Sequence, residues 1–592
     1  MFTAIKNPCM KKILVLAIFA LGLGSCDFSN YILEQDYDFT TVFEKSGGTE
    51  TATYTEIIDY YEDLAAVYST INLQRIGETD SGEPLHLVTY SRNREFDFES
   101  SREDNSIVMI NNGIHPGESD GIDATMMLFR DLAQDSIALP ENTIIAAIPV
   151  YNVGGALNRN SFTRTNQSGP KSYGFRGNAQ NYDLNRDFIK ADTKNTRSFY
   201  EIFHMVNPDI FIDTHVSNGA DYQYILTHLF TQHDQMGGPL GNYLKTELRP
   251  ALEKALQKKD WETTPYVNVF GDVPEKGFSQ FLDTPRYSTG YAALWNTLGV
   301  MIETHMLKPY DQRVLGTYEF LRSMIDIADE DAELIKKLRE RNLKEFQEMN
   351  TYAFDFKVDS SMVSTLQFKG YEAERIPSQV TGFERLRYDI TRPFTKPVDY
   401  YDNFTATREV KMPQGYIVPQ AWWPVLNLLE LNNVTMIPFE KDTSMTLEVY
   451  RIKDYETRNT AYEGHYPHSN VEVESSREKV MVREGDVFIP LNQKAAKYLL
   501  ATLEPQAPDS FFKWNFFDSI LQQKEGFSPY VFEEVAREFL DDHPEIEEEF
   551  LAKKSNEPEF AENWYAQLDW IHKKSDHYEK SHLRYPVFRV NR

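Results

Sequence analysis

The pattern of apolar and polar residues differs between the first and the second half of this chain. Between about Thr55 and Glu345, short apolar runs such as "SIVMI" alternate with amphipathic stretches of helical period. Continuously apolar strands separated by helices are typical of a sheet that helices cover on both faces. We therefore predict an α/β region with a mixed, largely parallel twisted sheet and helices on both faces.

The pattern also predicts individual elements of this region. The expected helices are "YTEIIDYYEDLAAVYST", a helix that begins at Ile122, and "NTRSFYEIFHMV", which Asn207-Pro208 should end. The expected strands are two around an acidic turn in "INLQRIGETDSGEPLHLVTYS", then 106–115, 143–152, 209–215 and 299–305.

The rest of the chain has a different composition. It is strand-rich with prolines and aromatic residues from about Phe354 to Pro490, and helical and acidic from about Gln493. We expect a catalytic domain over 51–345 and an accessory region over 346–592, β-rich and then helical.

The N-terminus has the layout of a secretion signal. "MKKILVLAIFALGLGSC" places two lysines before an apolar stretch that is too short to span a bilayer comfortably. "LGSC" resembles the bacterial lipobox, in which the cysteine receives lipid. We predict a lipoprotein signal peptide over 1–25, lipidation at Cys26 and a tether over 26–50. The protein would then be lipid-anchored in the cell envelope, facing the periplasm or on the outer membrane or cell surface.

Composition excludes several classes of function. The net charge of -29 over 592 residues argues against a nucleic-acid partner, because phosphate would be repelled. The only two cysteines are Cys9 and Cys26. If Cys26 is lipidated and Cys9 is removed, the mature protein has no thiol for catalysis, disulfides or metal binding.

Polar side chains stand at or just after the ends of three predicted strands. His115 and Glu118 follow the first, His215 ends the second and Glu303 lies near the end of the third. Ligands of open α/β sheets bind beyond the carboxyl ends of the strands. Two imidazoles and one carboxylate are a catalytic zinc set with an open fourth position. We expect one zinc ion per chain, bound by His115, Glu118 and His215, with Glu303 as the base.

Asn185 and Arg186, in "YDLNRDF", form a second candidate element. An amide beside a guanidinium suits a carboxylate, which arginine binds through two parallel hydrogen bonds. The alternative is that Arg186 forms a surface salt bridge with Asp183 or Asp187, and the pair alone favours that alternative.

Taken together, these motifs resemble the zinc metallocarboxypeptidase family (carboxypeptidase A-like), from about Thr55 to Asp311. "HPGE" is similar to the first zinc motif of the family, "DTH" to the third ligand, "DLNRDF" to the Asn-Arg pair that holds the terminal carboxylate of the substrate, and "MIET" to the strand with the catalytic glutamate. The resemblance implies the corresponding roles for His115 and Glu118, His215, Asn185 and Arg186, and Glu303.

Two further roles that the resemblance implies each have two candidates. The family uses another arginine to polarise the scissile carbonyl; Arg176 fits better by spacing, and Arg164 is the alternate. The mobile tyrosine of the family would be Tyr287 or Tyr291.

The implied activity is hydrolysis of the C-terminal peptide bond of peptides with a free C-terminus. Zinc lowers the pKa of its water to about 7, so Glu303 can accept a proton at neutral pH. An amidase that acts on cell-wall peptides would use the same groups and is the main alternative within this reading.

Two alternatives come from other classes. Gly117-Glu118-Ser119-Asp120-Gly121 fits the nucleophile pattern of serine hydrolases, with Asp213 and His215 as partners. Residues two apart on a strand project side by side, so Asp213 is not expected behind the His215 ring. A non-catalytic binding lipoprotein should lack a ligand or the base, and the chain keeps all four residues.

Overall fold

A computed structural model describes residues 37–591. The predicted signal peptide, Cys26 and the first part of the predicted tether lie outside the described residues. Among the helices of residues 37–591, none combines the length and the apolar character that crossing a membrane requires.

Helices and strands alternate through the first region. The helices are α1 Val42–Lys45, α2 Tyr54–Val67, α3 Phe98–Ser101, α4 Asp120–Ala133, α5 Val153–Leu157, α6 Lys194–Val206, α7 His233–Met236, α8 Gly238–Tyr243, α9 Arg249–Gln257, α10 Ser288–Ala293, α11 Tyr310–Glu330 and α12 Ala332–Glu348. The strands are β1 Ile71–Ile76, β2 Leu85–Tyr90, β3 Ser106–Asn111, β4 Thr143–Ile148, β5 Ile210–Ser217, β6 Leu226–Phe230, β7 Thr263–Pro265, β8 Phe278–Ser279 and β9 Leu298–His305.

Eight of these strands form one mixed sheet in the order β1-β2-β4-β3-β5-β9-β6-β7. The central strands β4, β3, β5 and β9 are parallel. The pairs β1–β2, β2–β4 and β6–β9 are antiparallel, and β6 pairs parallel with β7. Strands β3, β4 and β5 are buried at every position, because the sheet is covered on both faces. The predicted fold class is confirmed.

The local sequence explains where the elements begin and end. Thr53 caps α2 with its hydroxyl, and Glu56 completes a capping box. Helix α6 ends at Asn207 in the left-handed conformation, as the Asn-Pro pair predicted. The prediction missed β6 and β7, which lie beyond β9.

The described part of the accessory region contains ten strands and six helices, and five of the helices lie in its last part. Its strands are β10 Thr351–Val358, β11 Ser364–Pro377, β12 Glu384–Tyr401, β13 Phe404–Lys411, β14 Gly415–Val418, β15 Ile437–Pro438, β16 Thr443–Thr457, β17 His468–Val482, β18 Val487–Pro490 and β19 Phe588–Val590. Its helices are α13 Trp423–Leu431, α14 Ala496–Leu503, α15 Pro529–Asp542, α16 Pro544–Asn556, α17 Pro558–Ala561 and α18 Trp564–Lys574.

The two regions share one core within the unit that starts at Phe39. The largest buried apolar cluster extends from Phe39 to Val587. Phe39 and Phe43, in the predicted tether, belong to this cluster, so the chain packs on the body from Phe39 onwards. The boundary between 345 and 346 stays a prediction.

Candidate metal centre and active-site cleft

The carboxyl ends of β3, β5 and β9 open into a cleft of about 350 Å³. Parallel pairing of β5 with β9 places His215 directly opposite Glu303, and the loop after β3 brings His115 and Glu118 to the same edge. Among the predicted residues, the cleft is lined by His115, Glu118, Arg176, Asn185, Arg186, His215, Tyr287 and Glu303. Its apolar wall includes Leu229, Tyr266, Phe270, Phe281 and Met301.

His115, Glu118 and His215 have the arrangement of a metal site. One ligand atom from each lies within 4.8 Å of the others, and all three residues are buried. The Nδ1 atom of each histidine lies 3.3 Å from an oxygen of Glu118. Within residues 37–591, His115 Nδ1 is buried without a hydrogen-bond partner. A cation bound by these three side chains satisfies that atom, and the donor set fits zinc.

Two further carboxylates orient the histidine rings. His115 Nε2 lies 2.9 Å from Asp183 Oδ1, and His215 Nε2 lies 2.9 Å from Asp213 Oδ2. A carboxylate that accepts the Nε2 proton leaves the Nδ1 lone pair for the metal. The expectation that Asp213 would not sit behind the His215 ring is wrong, because both side chains project from one face of β5 and come within hydrogen-bond distance. Asp183 was missed as a histidine partner and Asp213 was rejected as one, although they stand inside "DLNR" and "DTH".

The turn between the first two ligands is tightly enclosed. The Glu118 backbone N–H donates to the His115 carbonyl over 2.7 Å. A Cβ atom at Gly117 would lie 2.2 Å from Arg164 Nε, so a larger residue would displace the arginine. Although burial alone would raise it, the charges of His115 and Arg164 hold the pKa of Glu118 well below its usual range. Glu118 is therefore an anionic ligand at neutral pH.

Glu303 lies in the cleft as a partly buried carboxyl group. Loss of hydration raises its pKa to about 8; the charge of His215 opposes this effect and that of Glu118 adds to it. A carboxyl group with a raised pKa is a better proton acceptor than an exposed glutamate. The position suits proton transfer at the metal edge of the cleft.

The two candidate arginines occupy different places. Arg176 lines the cleft, with its side chain 46% exposed, and pairs with Asp183 over 2.9 Å. Arg164 lies behind the cleft, where it donates to Glu118 over 2.8 Å and to Gln167 over 3.0 Å. Only Arg176 faces the space that a substrate would occupy, so Arg164 is better described as a support for Glu118.

Asn185 and Arg186 both line the cleft. Asn185 accepts the backbone N–H of Ser288 through Oδ1, which leaves its amide NH₂ for a ligand. The Arg186 guanidinium lies over the Tyr287 ring, 4.4 Å from its centroid. The predicted alternative, a surface salt bridge, is not found: within residues 37–591 no carboxylate forms an ion pair with Arg186.

The two candidate tyrosines, Tyr287 and Tyr291, lie in different places. Tyr287 precedes α10 in an extended conformation and lines the cleft. Tyr291 is fully buried, stacks on Tyr200 and donates to Asn432 Oδ1 over 2.6 Å. The prediction that Tyr291 lies in the site is wrong, because α10 directs that side chain into the core.

Ser119 does not have the surroundings of a nucleophile. Ser119 directly precedes α4, and its side chain is buried. Its hydroxyl lies 3.0 Å from the hydroxyl of Tyr310, the first residue of α11. It is not among the residues that line the cleft, and His215 bonds to Glu118 and Asp213 instead. The serine-hydrolase alternative therefore lacks its geometry.

Two groups near the cleft had not been singled out from the sequence. Asp283 lines the cleft and is 2% exposed, and its Oδ1 has no hydrogen-bond partner within residues 37–591. Tyr462, from the accessory region, lies 3.1 Å from Arg186 Nε. Neither had a sequence signal, because each is brought to the site only by folding.

Comparison with known proteins agrees with this geometry. Residues 57–209 match the model of the zinc carboxypeptidase family, a segment that includes the first two ligands and ends before His215. The chain is similar to carboxypeptidase 2 of Trichophyton equinum, with 22% identity over 432 residues that cover 68% of this chain and 72% of that protein.

Solved structures show a weaker overall likeness. The carboxypeptidase A of Helicoverpa armigera is 14% identical, with a TM-score of 0.36 over 48% of this chain and 74% of that chain. A metallo-carboxypeptidase from Pseudomonas aeruginosa is 13% identical, with a TM-score of 0.35 over 48% and 68% of the two chains.

The family match and the metal site support the same conclusion. His115 and Glu118 fall inside the matched segment, and folding adds His215 to complete the triad. The chain thus resembles the zinc carboxypeptidase family over residues 57–209, and it is a metallocarboxypeptidase, a peptide hydrolase, with His115, Glu118 and His215 as its zinc ligands.

Proposed function

We propose that this enzyme removes single residues from the free C-terminus of peptides while a lipid at Cys26 anchors it to a membrane of the cell envelope. The observation that carries the exopeptidase assignment is Arg186. Its guanidinium lines the same cleft as the zinc ligands and, within the described residues, has no acidic partner. A partly buried cation without an ion pair in a cleft favours an anionic group, and the terminal carboxylate of a peptide supplies one.

The side chains of the cleft have different roles in hydrolysis. When zinc is bound, it polarises the carbonyl of the last peptide bond and acidifies a water molecule. Arg186 and Asn185 hold the terminal carboxylate of the substrate. The Glu303 carboxylate accepts a proton from the water and donates it to the nitrogen of the leaving residue. Arg176 stabilises the negative charge that develops on the carbonyl oxygen, an electrostatic effect that usually dominates such rates.

Arg186→Ala tests the exopeptidase assignment. Loss of a charged hydrogen-bond donor should weaken peptides with a free C-terminus by about 10- to 100-fold in kcat/KM. Residual cleavage of the corresponding C-terminal amides should change far less. Equal effects on acids and amides would mean that Arg186 does not bind a terminal carboxylate.

The substrate class is tested with the purified soluble part of the chain. We expect mass spectrometry of a defined peptide mixture to show loss of single C-terminal residues, which 1,10-phenanthroline abolishes. Cleavage of muropeptides but not of ordinary peptides would instead favour the cell-wall amidase. Chelator-resistant cleavage would contradict the metal mechanism.

The anchor is supported by the "LGSC" motif alone. Cys26→Ser should move the protein from the membrane fraction to the soluble fraction. Unchanged fractionation would contradict lipidation and leave the hydrolase assignment untouched.

A further inference from the structure

The hairpin of β16 and β17 carries a short turn from the accessory region to the wall of the cleft. Residues 458–467 connect the two strands and are called the hairpin tip below. Tyr462 and His465 exchange both backbone hydrogen bonds, over 2.8 and 3.0 Å. Between them, Glu463 and Gly464 have φ of 48° and 78°. Two central residues with positive φ define a type I′ turn, so the tip has a fixed shape.

The hairpin tip is packed against its surroundings. The Tyr462 ring is nearly parallel to the buried Trp514 ring, at an angle of 18° and a centroid distance of 6.2 Å. His465 Nε2 lies 2.9 Å from Asp192 Oδ2. A Cβ atom at Gly464 would lie 2.5 Å from the Tyr182 hydroxyl. Contacts with three different segments therefore hold the tip in place.

Two residues of the hairpin tip form hydrogen bonds with residues of the active site. Arg186 Nε donates to the Tyr462 hydroxyl over 3.1 Å, and the Asp183 backbone N–H donates to Glu463 Oε2 over 2.9 Å. Asp183 in turn orients His115 and pairs with Arg176. The accessory region thus contacts both the carboxylate-binding arginine and the support of a zinc ligand.

The orientation of Arg186 depends on three contacts. Nε bonds to Tyr462, Nη1 donates to the Asn185 carbonyl over 2.8 Å, and the guanidinium face lies on the Tyr287 ring. Tyr462 supplies the only one of these three contacts that comes from the accessory region. A guanidinium that is oriented before the substrate arrives loses less conformational entropy on binding.

We propose that the hairpin tip is a positioning element for substrate recognition, in which the Tyr462 hydroxyl fixes the Arg186 guanidinium for the terminal carboxylate. This inference rests on the proposed role of Arg186. It gives the accessory region a part in the reaction: it completes the carboxylate site without touching the substrate. Tyr462 is therefore a positioning residue, not a catalytic one.

Tyr462→Phe in the full chain tests the proposal, because it removes the hydroxyl and keeps the ring that packs on Trp514. The lost hydrogen bond to a charged group should raise KM for a peptide acid by about tenfold, with kcat changed by less than about threefold. Tyr466→Phe is the matched control. Tyr466 is an exposed tyrosine of the same tip, and its substitution should leave both constants unchanged.

A double-mutant cycle identifies the partner of the hydroxyl. In an Arg186→Ala background, Tyr462→Phe should have no further effect on KM. An unchanged KM in the single variant, a fall in kcat alone, or an equal effect in the Arg186→Ala background would each overturn the proposal. If the wild-type enzyme instead treats acids and amides alike, the assignment of Arg186 fails, which is a separate outcome.

Discussion

Each zinc-binding histidine has a carboxylate behind it, and these pairs set the chemistry of the site at the scale of single residues. Asp183 and Asp213 accept from the Nε2 atoms, so that both Nδ1 atoms face Glu118. Glu118 itself is held anionic by its neighbours, whereas burial raises the pKa of Glu303 and with it the affinity of that carboxylate for a proton. Two glutamates in one cleft therefore have different roles, one as ligand and one as base.

Glu303→Gln should separate metal binding from turnover. The amide cannot accept a proton, so we expect kcat to fall by about 10²- to 10⁴-fold. Zinc content, measured by atomic absorption, should stay at one ion per chain. Activity close to that of the wild type would remove Glu303 as the base, whereas loss of zinc would make it part of the metal site.

At the scale of elements, the site depends on turns more than on the strands that lead into them. The pairing of β5 with β9 places His215 and Glu303, but the loop after β3 must fold back to bring Glu118 beside His115. Gly117 makes this possible, because it allows Arg164 and the Gly174 carbonyl to approach within 2.2 and 2.9 Å of where a Cβ would be.

Gly117→Ala should therefore damage the metal site before it damages the fold. We expect displacement of Arg164 and of the turn to weaken zinc binding by about tenfold or more. Competition with a fluorescent chelator measures this directly. Gly526→Ala is the control, since a Cβ there meets no atom of residues 37–591 within 4 Å. Equal zinc affinity in both variants would contradict the role of the turn.

At the scale of the whole molecule, buried carboxyl groups make stability depend on pH. Burial raises the pKa of Asp123 and Asp283 to about 7 and that of Glu303 to about 8. The folded state then binds more protons than the unfolded state between the unfolded values near 4 and these raised values. His204 and His305, with pKa lowered to about 4 by burial, oppose this only below about pH 6.5.

The metal-free protein should therefore lose stability as pH rises from 6.5 to about 8. Each carboxyl group contributes at most about 1.4 kcal/mol per pH unit to the slope of the free energy of unfolding against pH. Urea denaturation in chelator at several pH values measures it. Asp123→Asn should flatten the slope, and the exposed Asp63→Asn should not. A free energy of unfolding that rises over this window in the wild type would contradict the assignment.

Much of this protein follows from local sequence. The apolar runs predicted the central strands, because a strand buried on both faces needs apolar residues at every position. His115, Glu118, His215 and Glu303 could be singled out because residues at or just after the ends of parallel strands converge on one edge. Asn185 and Arg186 were singled out by the resemblance of "DLNRDF" to the family motif. The short spacing of "HPGE", with Pro-Gly between the ligands, was also a local signal.

Tertiary structure decided what sequence spacing left open. Arg176 rather than Arg164 faces the cleft, and Tyr287 rather than Tyr291, because the backbone path between strands directs each side chain. Tyr462 reaches Arg186 across 276 residues of chain, a contact that no local pattern encodes. Sequence alone thus determined most of the elements and the zinc ligands with the base, since these depend on neighbours in the chain. Long-range packing decided which side chains come into contact, and only the folded molecule defines that packing.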